Sequence, residues 1–190
     1  MGFRRGFKSQ CERRSVEVRR NFGLEPVSPL SAHDYAKHLG VTVWTEQDID
    51  GGPDQHLHQL TIADGDSWSA FTIRVGDLHL VVINSTQSSA RINSVLMHEV
   101  SHISLGHELT SGALTEDGHF VPVTYNEDQE AEADWLAGTL LLPRPALLHI
   151  RRVGLTDEQA KAQFLVSQAM LNWRFRMTGV DYQLANSRRR

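Results

Sequence analysis

The sequence predicts an α+β fold: a compact core in which a small β-sheet, built on a hairpin over residues 69–84, lies beside a capped helix, with short helices towards the C-terminus. Three observations predict it. Two apolar, β-branched runs over residues 69–75 and 78–84 flank Gly76-Asp77, a dipeptide suited to a tight turn. Ile92, Val95, Leu96 and Ile103 then recur at helical spacing, in a segment that Ser88 or Ser89 can cap and that should stop near Gly106. A second helix opens at Asn126, with Glu127 and Asp128 in its first turn, where the helix dipole favours acids, and Pro143 and Pro145 end it.

The other elements follow in chain order. Residues 9–22 read as a basic helix closed off by Pro26 and Pro29. Ser31 caps a short helix running to Leu39, where Gly40 supplies the stop, and residues 41–44 form a short strand. Gly51, Gly52 and Pro53 mark a loop; the stretch 107–124 lacks periodicity and reads as another. Residues 156–178 form two short helices broken around 165–167. The predicted organisation is one domain over residues 1–155, including the basic N-terminal helix, and a helical extension over 156–190; 190 residues are too few for two ordinary domains.

Composition narrows the class. At 40% hydrophobic and 22% charged residues the chain can bury a core, which excludes a disordered protein. Its apolar runs are too short to span a bilayer. Residues 1–8 carry Arg4, Arg5 and Lys8 without a following apolar stretch and so fail as a secretion signal; a cytoplasmic location is the expectation. Cys11 is the lone cysteine, so any zinc must be held by histidine and carboxylate. Charge is segregated: residues 1–20 hold seven Arg or Lys against two Glu, residues 21–143 three against eighteen acids, and residues 144–190 nine against three. Basic helices docked on an acidic body account for this; a nucleic-acid footprint is the alternative.

The segment His98-Glu99-Val100-Ser101-His102 is an HExxH pattern inside a predicted helix. Residues four apart share a helix face, so both imidazoles can reach one ion, while Glu99, turned about 100° away, can reach a metal-bound water. A catalytic zinc takes three protein ligands and leaves a position for water. A metzincin-type third ligand would be a histidine six residues after His102, but that position is Glu108. His107 is read instead as a helix-end residue favoured by the C-terminal dipole. The acidic helix offers the third ligand. Ala133, Leu136, Ala137, Leu140 and Leu141 define its buried face, and Glu130 lies roughly 50° from the centre of that face, against roughly 110° for Glu132.

Glu130 is therefore the expected ligand. Asp134, one turn on, can accept the second ring N–H of a ligating histidine, or can be a solvated carboxylate. The chemistry implied is metal-assisted hydrolysis of a peptide bond. Zinc lowers the pKa of a bound water to about 7, and Glu99 takes its proton and passes it to the leaving amine. Tyr125 or His119 can stabilise the oxyanion or be ordinary loop residues. An extended peptide can pair with the edge of the 69–84 hairpin.

Taken together, Gly6-Phe7-Lys8, "SAHDYAKHLGVTV" from Ser31, "HEVSHISLGH" from His98 and "EAEADWLAGTLLLP" from Glu130 resemble the ImmA/IrrE metallopeptidases. The resemblance implies a compact core with a gluzincin-like zinc site and places the third ligand on Glu130. It also implies a helix-turn-helix repressor as substrate, whose cleavage relieves control of stress genes, mobile elements or antiphage operons. The tail "AQFLVSQAMLNWRF" from Ala162 is similar to the short tail of many members, and Leu165 stands where a helix-turn-helix would want glycine, so docking or recognition is expected of it rather than DNA reading.

Two further readings stay open. Cys11 lies in a basic segment that would favour its thiolate, which can fill the fourth zinc position as an inhibitory ligand, or it is an inert thiol. A non-proteolytic regulator that keeps the metal for structure, and binds DNA or a protein partner through its basic ends, is the rival function; Glu99 discriminates, because a structural site has no use for a base.

Overall fold

The computed structural model describes residues 2–49, 68–75, 77–107, 112–114, 120–122 and 126–187. In chain order these form α1 (Phe7–Asn21), α2 (Ala32–His38), β1 (Val41–Thr45), a 3-10 turn (Glu46–Asp48), β2 (Ala70–Val75), β3 (Leu78–Ile83), α3 (Ser89–Leu105), β4 (Gly112–Leu114), β5 (Phe120–Pro122), α4 (Glu127–Leu141), α5 (Arg144–Val153), α6 (Asp157–Phe164), α7 (Gln168–Thr178) and α8 (Val180–Ser187). The loop residues Gly51, Gly52 and Pro53, the turn residue Gly76, and His119 and Tyr125 lie outside the described residues.

Caps read from sequence set three of the helix starts. Ser31 Oγ accepts the Asp34 N–H at 3.2 Å and Ser88 Oγ the Arg91 N–H at 3.3 Å. Asn126 Oδ1 accepts from the N–H groups of both Asp128 and Gln129. Three expectations change. Pro143 and Pro145 end α4, but α5 starts at once, because proline in a first turn lacks only an N–H that would be unpaired anyway. The stretch 107–124, expected as a loop, holds β4 and β5, which pair antiparallel with Ala113 opposite Val121. Strands of three residues are too short to show a period. The terminal helix α8 also carried no cap signal that set it apart.

β1 runs parallel and β2 antiparallel to the central β3, giving the order β1–β3–β2. Val81, Val82 and Ile83 are buried in succession, so both faces of β3 are covered at this end. The metal-motif helix α3 packs between this sheet and α4. Ala160, Phe164, Leu171, Phe175 and Val180 from α6 to α8 join the same core as Leu96 and Val100 of α3.

The basic ends are tied inward by specific bonds. Arg14 Nη2 donates to Ser104 O at 2.8 Å, and Arg19 Nη2 to Leu140 O at 2.7 Å, so both cations sit on the carbonyl ends of α3 and α4, where the dipole favours them. Arg19 also bonds Ser28 O and both oxygens of Ser15. Glu12 accepts from Arg174 Nη2 at 2.7 Å and from the Arg144 N–H at 2.9 Å, joining α1 to α7 and to the start of α5. Lys8 Nζ stands 3.9 Å from the centre of the Trp135 ring.

Candidate active site

α3 buries Leu96, Met97 and Val100 and turns His98 and His102 towards α4. α4 buries Ala133 and Ala137, small residues that let the two helices approach. The approach brings three side chains to one point. His98 Nε2 lies 3.2 Å from one Glu130 carboxylate oxygen, His102 Nε2 3.5 Å from the other, and the two ring nitrogens are 3.0 Å apart. Donors about 2.1 Å from one tetrahedral zinc would stand about 3.4 Å apart, so the set fits such an ion. Among the described residues His98, His102 and Glu130 form a group able to hold a metal.

Each ring has an outer partner. His98 Nδ1 is 2.9 Å from Asp134 Oδ1. His102 Nδ1 is 3.0 Å from Nδ1 of His107, whose Nε2 is 3.3 Å from Glu132 Oε2. Electrostatics divides the two histidines. Burial works to lower the basicity of His98, but the Asp134 bond and charge, with Glu99 and Glu130, outweigh it and leave it raised. Burial, helped by the neighbouring His98 and His107, pushes His102 down to about 4. Glu99 is held above the usual carboxyl range by burial, against the pull of a 2.5 Å bond from Thr72 Oγ1 and of His98.

Cys11 is elsewhere. It is 2% exposed within the hydrophobic core, and burial pushes its thiol up to about 11, outweighing the nearby Arg14. The expectation that a basic segment favours the thiolate is reversed: a thiol removed from water loses more by ionising than one guanidinium returns.

The family model of the IrrE N-terminal-like domain, Peptidase_M78, matches residues 53–176. The chain belongs to this family. No curated protein matches it. In this Peptidase_M78 chain the matched region spans the HExxH helix, the acidic helix that carries Glu130, and α6 with most of α7. The C-terminal helices border the site. A cavity of about 340 Å³, lined by Ser69, Ala70, His98, Glu99, Asp134 and Met170, adjoins one of about 670 Å³ that shares Arg91, Ser94, Asp134 and Met170 and continues to Ala169 and Trp173 of α7.

Sequence reasoning missed three residues of this Peptidase_M78 site. Thr72 had no signal beyond strand alternation. The sequence reads His107 as a helix-end residue and Glu132 as outward-facing, yet the two meet beside His102. A histidine directly after the C-terminal Gly106 was the available clue, because a left-handed glycine folds the next residue back over the helix.

Proposed function

We propose that the chain is a zinc-dependent endopeptidase that cleaves a helix-turn-helix transcriptional repressor and so derepresses a stress, mobile-element or antiphage defence operon. The observation that carries the peptidase reading is the convergence of His98, His102 and Glu130 with a partly buried carboxylate, Glu99, one residue along the same helix. Membership of a peptidase family supports it. Zinc held by the three ligands would supply Lewis acidity and a coordinated water with a pKa near ~7.

The chain's own groups do the rest. Glu99 takes the proton of the water whose oxygen bonds to the scissile carbonyl carbon, and returns it to the amide nitrogen as the C–N bond breaks. Burial raises the proton affinity of Glu99 above that of an exposed carboxylate, which suits it to accept the proton. Thr72, bonded to Glu99 Oε2, fixes its rotamer. Among the described residues β2 is the end strand of its sheet and carries Thr72, so an extended peptide added along its edge would lie against Glu99. Side chains of that peptide would reach the cavity bounded by Arg91, Met170 and Trp173.

The rival, a non-proteolytic regulator acting on DNA through its basic ends, has fewer free cations to draw on. Arg14, Arg19, Arg144 and Arg174 bond within the fold, and Arg151 pairs with Asp181 and Asp157. Among the described residues no helix is long and apolar enough to cross a membrane. The test is Glu99→Gln, incubated with a helix-turn-helix repressor found in a neighbouring reading frame: zinc retained and cleavage abolished is expected. Continued cleavage by that variant would overturn the mechanism, and DNA affinity falling steeply with salt would favour the rival.

A further inference from the structure

α3 ends in a Schellman turn. Gly106 adopts φ 70° and donates its N–H to Ile103 O at 3.0 Å, while the His107 N–H reaches back to His102 O, also at 3.0 Å. The chain is thereby folded over the last helical turn, and the His107 ring, with a side chain only 6% exposed, stands against the His102 ring. Neither contact follows from the helix itself. The left-handed glycine creates it.

The acceptors that face each ring bias where the protons of this cluster sit. Glu132 is a carboxylate and only accepts, so the nitrogen facing it, His107 Nε2, carries hydrogen. A neutral imidazole has one N–H, which leaves His107 Nδ1 as an acceptor. The atom 3.0 Å from that acceptor is His102 Nδ1, so His107 draws the single hydrogen of His102 to Nδ1, against His98 Nε2 at 3.0 Å and Glu130 at 3.5 Å, which face the other ring nitrogen. It follows that His102 keeps a lone pair on Nε2, the nitrogen turned towards His98 and Glu130. Asp134 does the same for His98 directly, through Nδ1.

We propose that His107 and Glu132 form a positioning relay, Glu132 to His107 to His102, that fixes the tautomer and ring orientation of His102 so that Nε2 is free to bind a divalent metal. This rests on the peptidase reading's assignment of His98, His102 and Glu130 as ligands. An outer carboxylate on a ligand histidine is the usual arrangement; here an imidazole is interposed, because Glu132 on α4 sits too far round that helix to meet His102 itself and bonds His107 instead. The two ligand histidines are thus held by acids of one helix, Glu132 and Asp134, two and four residues after the third ligand Glu130.

The experiment uses the full chain. Zinc affinity is measured by chelator competition for the parent, His107→Phe, Glu132→Gln, the double variant and His107→Asn, with urea unfolding of each metal-free protein as a control for folding. His107→Phe should bind zinc about 10- to 100-fold more weakly. Adding Glu132→Gln to it should cost nothing more, since both act through one chain of bonds. His107→Asn, whose side-chain oxygen falls near the former Nδ1, should recover most of the affinity. Nitrogen-15 NMR of the metal-free parent near pH 8 should find His102 in the Nδ1–H tautomer, and His107→Phe should lose that preference.

Equal zinc affinity in parent and His107→Phe, or a parent His102 in the Nε2–H tautomer, overturns the relay and leaves the peptidase reading standing. A parent that binds no zinc overturns the peptidase reading instead, and the tautomer measured on metal-free protein still decides the relay.

Discussion

Gly138 on α4 lies face to face with the indole of Trp173 on α7: a Cβ at position 138 would overlap Trp173 Cζ3 and stand 3.1 Å from Arg174 Cδ. The absence of a side chain at 138 is what seats the C-terminal helices beside the site. Glycine in a helix interior costs about 1 kcal/mol relative to alanine, so Gly138→Ala gains propensity and loses fit. Overpacking costs about 1–3 kcal/mol, and the Trp173 ring, partly buried against the core, would have to shift to admit the methyl group. A net loss on the order of 1 kcal/mol is expected in urea unfolding. A stabilised variant would show that α7 moves aside freely.

Glu12 and Arg174 make the other long tie, and here burial decides the magnitude. The Arg174 side chain is 0% exposed, and its Nη1 has no hydrogen-bond partner among the described residues, so Glu12 supplies the only carboxylate it touches. Removing one partner of a buried pair costs about 3–5 kcal/mol, because the remaining charge is left uncompensated. Glu12→Ala should approach the lower end of that range, since Glu12 keeps 27% of its side chain in water. Glu12→Gln, which can still accept from Arg174 and from the Arg144 N–H, should cost less. Equal stability of Glu12→Ala and parent in chemical denaturation would remove the tie.

These two contacts mark where the sequence stops being legible. The HExxH spacing, the buried face of the acidic helix and the serine and asparagine caps depend on neighbours within a turn or two, and they led to α3, α4 and the position of Glu130 without any knowledge of the fold. The roles of Thr72, His107 and Glu132 depend on a strand, a reversed chain end and a second helix meeting in space. Helical periodicity places Glu132 off the buried face, and so it is; it finds His107 because Gly106 turns the chain back. The basic ends were visible as charge blocks, but which arginines are buried is fixed by the carbonyls at the ends of α3 and α4.

Leu165 is the described non-glycine residue held at positive φ, at 50°, in the turn between α6 and α7. The sequence already marked this position as one where glycine would be expected. A left-handed conformation costs a branched L-residue roughly 1–2 kcal/mol, and Leu165 is 44% exposed, so only part of its packing is lost with the side chain. Leu165→Gly should keep the Asn93 bond to the 165 carbonyl and raise stability by about 0.5–1 kcal/mol in urea unfolding. Destabilisation would mean that the leucine side chain contributes more than its exposure implies.

Glu46 supplies a pH dependence. Burial opposes its ionisation, but the Ser85 hydroxyl at 2.5 Å and the Ser85 N–H at 2.9 Å outweigh burial and leave the carboxyl below its usual range. The bonds join the turn after β1 to Ser85, two residues after the end of β3. Because the folded value lies below the unfolded one of about 4.3, the stabilisation is complete above that pH and is lost as pH falls through the folded value. Glu46→Gln should therefore be less stable than the parent near neutral pH, and the gap should close on acidification below about pH 4. A gap that stays constant down to about pH 3 would contradict the assignment.

Metal removal should be felt by the fold as well as the chemistry, because His98 and His102 come from α3 and Glu130 from α4. An ion bound only by the native state at a free concentration of 100 times its Kd adds about 2.7 kcal/mol. In a chain of this length each 1 kcal/mol moves the melting temperature by about 2–4 °C, so chelation should lower it by roughly 5–10 °C. Glu130→Ala tests the source of the shift. Among the described residues its carboxylate bonds no other element once the histidines are set aside, so the metal-free melting temperature should change little, while the response to zinc should disappear. A zinc-induced rise that survives Glu130→Ala would place the stabilising ion at another site.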